Sequence, residues 1–565
     1  MIAATQAADD LFDASLYSGE MPEDAIGNER RVLGPPGTGK TTYARNYIAA
    51  ASQRYGRKGV LVTSHTRTAA RTLVKRGIAV DLENVATLHS ICYRALGKPK
   101  IADTPSMLQK WSDTHPEWPI IGRHPDPEKA GQEGAGDRAM RRINTLRATM
   151  VPLSQWPAGL VSFWTSWSRW KTGERAMDFT DLVARSLREV PIAPGNPSVI
   201  IADEAQDLTP LQMALLRSWG KACQSVLLVG DDEQSLYDYA GASPLTLLTP
   251  TLPQSQVRIL RESKRIPANV HKYALRQWSH RLSVRFPKVF LPRPEPGCVQ
   301  RVATGGYDAP GLLNRVEKHL GKSKTVMILA SANFALQKVL AELRRRGIPF
   351  ANRNRTESAS WNPLGVAGHG AGDRLHKLCE GQARPPERLW NGRDLRLWVS
   401  WLEARGIMKH GGKERLVDLD MDSWYGLPEL AEWLLPESYE SFCRHLKHSP
   451  AALADWWRRR VLPAHELDAM FAAKVVEVSG KIEPLTKPPS LTIGTIHSVK
   501  GDQAQVVYLL PDLTNRWRAD YFAGGSRRDG LLRMFYVAAT RAEEELYLCS
   551  PWRRGSSIEL GAGCQ

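Results

Sequence analysis

Cysteine is scarce in this chain and badly placed for metal work. The seven cysteines of 565 residues (Cys92, Cys223, Cys298, Cys379, Cys443, Cys549 and Cys564) are never closer than 15 apart. No pair has zinc or iron–sulfur ligand spacing, and an odd, scattered set suits a reducing compartment. Long apolar runs are missing as well, since none approaches the ~20 residues of a membrane span. The opening stretch MIAATQAADDLFDASLYSGE has acids where a secretory leader needs a basic start and a long apolar core. These absences predict a cytoplasmic protein, of a bacterial cytosol or nucleoid or of a phage-infected host. Acidic excess is absent too: 76 Lys and Arg stand against 59 Asp and Glu, a net charge of +17. That excess favours a polyanionic partner, most often nucleic acid, with general solubility as the plainer alternative. No internal repeat and no long low-complexity tract breaks the pattern.

What is present points to α/β architecture. With 42% hydrophobic and 24% charged residues the chain is globular, and it is too long for one core. Short β-branched runs (GVLVTS, NVATLHS, SVIIADE, SVLLVGD, KTVMILAS, LTIGTIHS, QVVYLLP) alternate with helical patterns such as TTYARNYIAAASQRYG. Continuous apolar strands between helices predict parallel sheets covered on both faces. The pattern breaks twice, over about 98–175 and 355–488, where largely helical insertions are expected. The predicted order is a first core domain over 1–97, an insertion over 98–175, and the return of the first core over 176–254. A second core domain follows over 255–354, with its insertion over 355–488 and its return over 489–565.

GPPGTGKTT (Gly34, Pro35, Pro36, Gly37, Thr38, Gly39, Lys40, Thr41, Thr42) fits G-x-x-x-x-G-K-[ST] between an apolar strand and an amphipathic helix. Glycines let the backbone wrap a phosphate chain, and the helix N-terminus adds positive potential. Lys40 is expected on the β- and γ-phosphates and Thr41 on Mg²⁺. In VIIADEAQD the acids Asp203 and Glu204 end an apolar strand, the edge where open α/β sheets bind ligands. Asp203 is expected to hold Mg²⁺ and Glu204 to activate water. Arg265 and Arg541 follow apolar segments far from the P-loop and are candidates to stabilise γ-phosphate charge.

In order along the chain, GPPGTGKTT, TSHTRTAARTL, VATLHS, IIADEAQD, VGDDEQSLYDYAGA, LRESKRIP, TIGTIHSVKGDQAQVVYLL and MFYVAATRAEEELYL resemble motifs I, Ia, Ib, II, III, IV, V and VI of the UvrD/Rep/PcrA-like superfamily 1 DNA helicases. MDFTDLV resembles the family's return into the first core. The resemblance implies two RecA-like core domains, use of ATP and Mg²⁺, and 3′-to-5′ motion on single-stranded DNA with unwinding of duplex at junctions. It makes Gln234 the γ-phosphate sensor and Gln503 a ribose contact. Tyr237 and Tyr239 become base-supporting rings; His65, Thr66, Thr87, His89, His497 and Lys500 become DNA contacts, and Thr495 helps couple them to the nucleotide. A monomer or weak oligomer is expected.

Departures from the family pattern carry their own expectations. No glutamine stands in GEMPEDAIGNERR, where the family reads adenine, and Gln6 is far away, so relaxed nucleotide choice is predicted. Ala240 replaces the usual arginine of motif III, and Gln503 replaces a glutamate. Two further readings stay open: a translocase that strips proteins from single strands with little unwinding, and a non-enzymatic loading factor. RNA as the track is a further alternative. Three side features have plain structural readings. The tryptophans of FWTSWSRW are expected in a core, DWWRRR equally as a duplex contact or as a solvated helix end with one buried tryptophan, and RRRG as a helix C-terminus.

Overall fold

The computed structural model describes residues 27–64, 80–121, 134–355, 359–365, 368–552 and 555–563. Contacts divide them into two units, residues up to 298 with 514–540, and residues 299–513 with 541–563. The sequence reading begins the second core domain at 255, whereas the contacts group residues 255–298 with the first sheet.

The first unit is built on a six-stranded sheet. Its strands are β1 (Glu29–Leu33), β2 (Val60–Ser64), β3 (Val85–Ala86), β4 (Val199–Asp203), β5 (Ser225–Gly230) and β6 (Val257–Ile259), in the spatial order β3-β2-β4-β5-β1-β6. Every pairing is parallel. Val199, Ile200, Ile201 and Ala202 are all buried, as a strand covered on both faces requires. The register sets Asp203 opposite Val229 and Leu33 opposite Gly230. The C-terminal ends of β1, β4 and β5 therefore emerge side by side. At the opposite end Glu29 accepts from Arg31 and Arg217, all three buried, so the start of β1 is closed by paired charge.

Helices over 135–148 and 158–174 form much of the first insertion. Trp164 and Trp167 are buried there with Trp111 and Phe163, and Trp170 stacks on Trp167, so FWTSWSRW is core. The Trp167 indole, Arg147 and Lys171 all donate to buried Asp178 of MDFTDLV.

The second unit carries β7 (Cys298–Val302), β8 (Val326–Ala330), β9 (Leu491–Thr495), β10 (Ala504–Leu509) and β11 (Ala542–Cys549), in the order β7-β11-β10-β8-β9. β8 runs parallel to β9 and β10, and β10 parallel to β11. Two α/β sheets with helical insertions were expected, and two are found. Helices between 371 and 479 supply the second insertion. In DWWRRR both Trp456 and Trp457 are buried, one more than expected, because Arg460 lies over the Trp456 ring while Arg458 and Arg459 pair with Asp455. Gly347 takes the left-handed conformation (φ 65°) that ends helix Gln337–Arg346. Among the described residues no helix is long and apolar enough to cross a membrane.

Candidate nucleotide-binding site

The P-loop leaves β1 directly. Its first amide, Gly34 N, donates to Gly230 O at 3.1 Å, so the loop starts anchored to β5. Gly37 and Gly39 have φ of 77° and 87°, the left-handed region that favours glycine. Gly34 is needed for space: a Cβ there would lie 2.6 Å from Thr38 Oγ1 and 2.8 Å from Lys40 Cγ. Helix Lys40–Tyr55 follows, and Lys40 Nζ donates to Gly34 O at 2.6 Å.

Segment 263–265 straps the loop from above. Ser263 Oγ donates to Pro36 O at 2.9 Å, and Lys264 N donates to Gly37 O at 2.9 Å. A Cβ on Gly37 would meet Arg265 Cβ at 2.5 Å. Arg265, placed by sequence on the second core domain, thus stands beside the P-loop in the first unit. The cause is local, because β6 pairs with β1 and carries the following residues across the loop.

Burial lowers the Lys40 pKa, with Arg265 acting the same way, while Asp231, Glu204 and Asp203 oppose it. These five groups are one electrostatic cluster at the sheet's C-terminal edge. Asp203 is buried, and Glu204 holds a left-handed backbone (φ 56°), a strained conformation for a residue with a side chain and one that concentrates at functional sites. Gln206 Nε2 donates to Glu204 Oε2 at 2.5 Å, and Gln206 Oε1 accepts from Asp231 N at 3.0 Å. Gln234 Nε2 donates to Asp231 Oδ2 at 2.7 Å. Burial alone would push Asp231 up, but Lys288, Lys40 and Gln234 hold it below the usual carboxylate range. Thr41 and Asp203 offer the hard oxygen donors that Mg²⁺ prefers.

Tyr237 and Tyr239 are partly buried, their ring centroids 6.0 Å apart. Burial, then Asp207 and Tyr239, raise the Tyr237 pKa, so its hydroxyl stays protonated. The loop leans on the first insertion: Thr145 Oγ1 donates to Tyr239 O at 3.3 Å, and Gly241 packs against Thr149 and Ala148.

The other expected residues fall as follows. Thr87 caps helix Leu88–Ala95 by accepting from Ser90 N, and the His89 ring meets Phe179 edge-on at 5.8 Å. His65, Thr66 and Gln6 lie outside the described residues. In the second unit His497 and Lys500 are partly exposed on the turn after β9, whose Thr495 is buried. Asn354 Nδ2 donates to Ser498 O at 2.9 Å and so supports that turn. Gln503 Nε2 donates to Glu543 at 2.5 Å, and buried Arg541 donates to Asp502 O at 3.2 Å.

Residues 27–240 match the family model described as an AAA domain, and this span holds the P-loop, the acid pair and Gln234. The chain is similar to UvrD-like helicases. It is 24% identical over 250 residues to the "Putative ATP-dependent DNA helicase YjcD" of Bacillus subtilis, covering 38% of this chain and 32% of that protein. It is 24% identical over 262 residues to the "ATP-dependent DNA helicase UvrD2" of Mycobacterium tuberculosis, covering 38% of this chain and 36% of the relative. The match thus spans about a third of the length of these relatives.

Sequence reasoning missed three residues of this cluster and its surroundings. Asp231 was inside a quoted motif but had no role, Gln206 likewise, and Lys288 was not singled out at all. The signal for the first two was their position one and three residues beyond a buried strand end. Lys288 left no local signal.

Proposed function

We propose that the chain is an ATP-driven motor that moves 3′-to-5′ on single-stranded DNA and unwinds duplex at single-strand–duplex junctions. The observation that carries this reading is the cluster of Lys40, Asp203, Glu204, Asp231 and Arg265, with Gln234 bonded to Asp231 and two tyrosines only three and five residues further on. In this reading Lys40 binds the β- and γ-phosphates. Thr41 and Asp203 hold Mg²⁺, which when bound neutralises charge on the phosphate oxygens. Glu204 orients a water and takes its proton, while Gln206 keeps that carboxylate aimed. Arg265 stabilises charge on the departing phosphate, and Arg541 keeps the similar role that the resemblance implies. Gln234 reports the γ-phosphate to Tyr237 and Tyr239, which stack on bases without regard to sequence. The net charge of +17 suits a polyanionic track.

Strand displacement on 3′-tailed and 5′-tailed duplexes tests the proposal. Unwinding is expected from 3′ tails with Mg-ATP. Unwinding from 5′ tails alone would reverse the polarity. DNA-stimulated hydrolysis that displaces a bound protein without separating strands would favour the translocase reading.

A further inference from the structure

Three consecutive acids, Asp231, Asp232 and Glu233, follow β5 with their side chains buried. Like charges so close in a low-dielectric setting repel strongly unless a cation is supplied. Lys288 supplies it. Its side chain is 2% exposed, and its ammonium lies 3.2 Å from Asp231, 2.6 Å from Asp232 and 3.3 Å from Glu233. An ammonium has three donors on a point charge, enough for one toward each carboxylate. The remaining charged groups facing the acids are Lys40, which acts on Asp231, Arg285, 4.0 Å from Glu233, and Arg533 of helix Gly525–Ala539. Burial, then the charges of Glu233, Asp231 and Asp232, raise the pKa of the nearby Tyr536 hydroxyl.

The backbone carrying Lys288 is itself fixed. Phe286 N donates to Asp232 Oδ2 at 2.7 Å; Ser283 N and Oγ donate to Asp529 Oδ2 at 2.9 and 2.6 Å. Arg533 donates to Val284 O at 2.7 Å. Segment 283–288 therefore ties helix Gly525–Ala539 to the loop that bears Gln234, within one unit.

We propose that Lys288 is a positioning residue of the Gln234 loop, fixing the Asp231 carboxylate where it can hold the Gln234 amide and face Lys40. This rests on the proposed motor function. Burial opposes the charge on Lys288, yet the three acids outweigh it and raise its pKa, so the ammonium persists across the working range. Without it, Asp231 loses its nearest cation in this pocket, and both the Gln234 amide and Lys40 lose a fixed partner.

The test compares Lys288→Met, Lys288→Arg and Lys288→Met/Asp232→Asn in the full chain. Melting temperature, kcat and KM for Mg-ATP are measured with oligo-dT present. Lys288→Met should lower kcat about tenfold or more while KM stays within about threefold, and Lys288→Arg should recover kcat to within about threefold of wild type. The double variant removes one uncompensated acid, so it should regain melting temperature without regaining kcat, because Asp231 is still unheld. If the double variant recovers both together, Lys288 is only a neutralising charge and the proposal falls. It falls equally if Lys288→Met turns over like the wild type. A wild type that hydrolyses nothing would overturn the motor reading and this inference with it, a result distinct from either.

Discussion

Gln206 donates to Glu204 at 2.5 Å, and its carbonyl oxygen accepts the Asp231 amide at 3.0 Å. One side-chain amide therefore spans the acid pair after β4 and the loop after β5. If Glu204 is the base, Gln206→Ala should lower kcat by about 10- to 100-fold, the scale of a small misplacement of a reacting group. Nucleotide affinity should change little. Stopped-flow hydrolysis alongside binding of a fluorescent ATP analogue checks this, and a loss confined to affinity would contradict it.

Lys40→Ala and Glu204→Gln should each abolish turnover and leave single-strand affinity largely intact. Lys40 and Glu204, proposed for phosphate contact and water activation, cluster at the end of the first sheet, while the rings of Tyr237 and Tyr239 belong to the next loop. Fluorescence anisotropy with labelled oligo-dT, without nucleotide, checks this; loss of DNA binding in both variants would argue against the layout.

Tyr239→Ala and Gln234→Ala should fail differently. The first should lose about 1–3 kcal/mol of single-strand affinity or step coupling while basal hydrolysis survives, and Tyr239→Phe should restore most of it. The second should bind DNA but lose stimulation by it, since Asp231 then has no amide to hold. A Tyr239→Ala variant that loses melting temperature and basal hydrolysis together would mark the ring as packing.

Asp103 gives a stability prediction. Its carboxyl accepts from Phe179 N at 2.6 Å, and burial, with Asp178 and Asp181 nearby, pushes it up to about 7 from 3.8, against the pull of Lys171. The folded chain then keeps a proton that the unfolded chain has already released. The linked stability is complete below the unfolded pKa of 3.8 and is lost as pH rises through about 7. Asp103→Asn removes this dependence, so relative to wild type the variant should gain a few degrees of melting temperature on going from pH 5 to pH 8. Calorimetry at both pH values decides, and an unchanged difference would refute it.

The sequence was most informative where function is carried by consecutive residues. The P-loop, the strand ending in Asp203 and Glu204, and the Gln234–Tyr239 loop each combine a buried strand with residues immediately beyond it. Strand order then sets β1, β4 and β5 edge to edge, and the motifs meet without further instruction. Relations between distant side chains were not legible. Nothing near Lys288 marks it as the partner of Asp231, because a buried ion pair between residues 57 apart imposes no periodicity. Arg265 was assigned by domain order, yet β6 joins the first sheet and the residues after it bring Arg265 beside the P-loop. The tryptophans were read correctly as core in FWTSWSRW, where spacing shows a face. In DWWRRR the adjacent pair hid that both rings turn inward.

The strap over the P-loop has a consequence for exchange between relatives. Pro36 and Gly37 are bonded to Ser263 and Lys264, and Arg265 leaves no room for a side chain at position 37. Residues 34–42 and 262–266 are therefore one part in two pieces. A chimera that imports a foreign P-loop alone inherits a roof cut for a different loop, and one that imports both segments inherits a matched fitting.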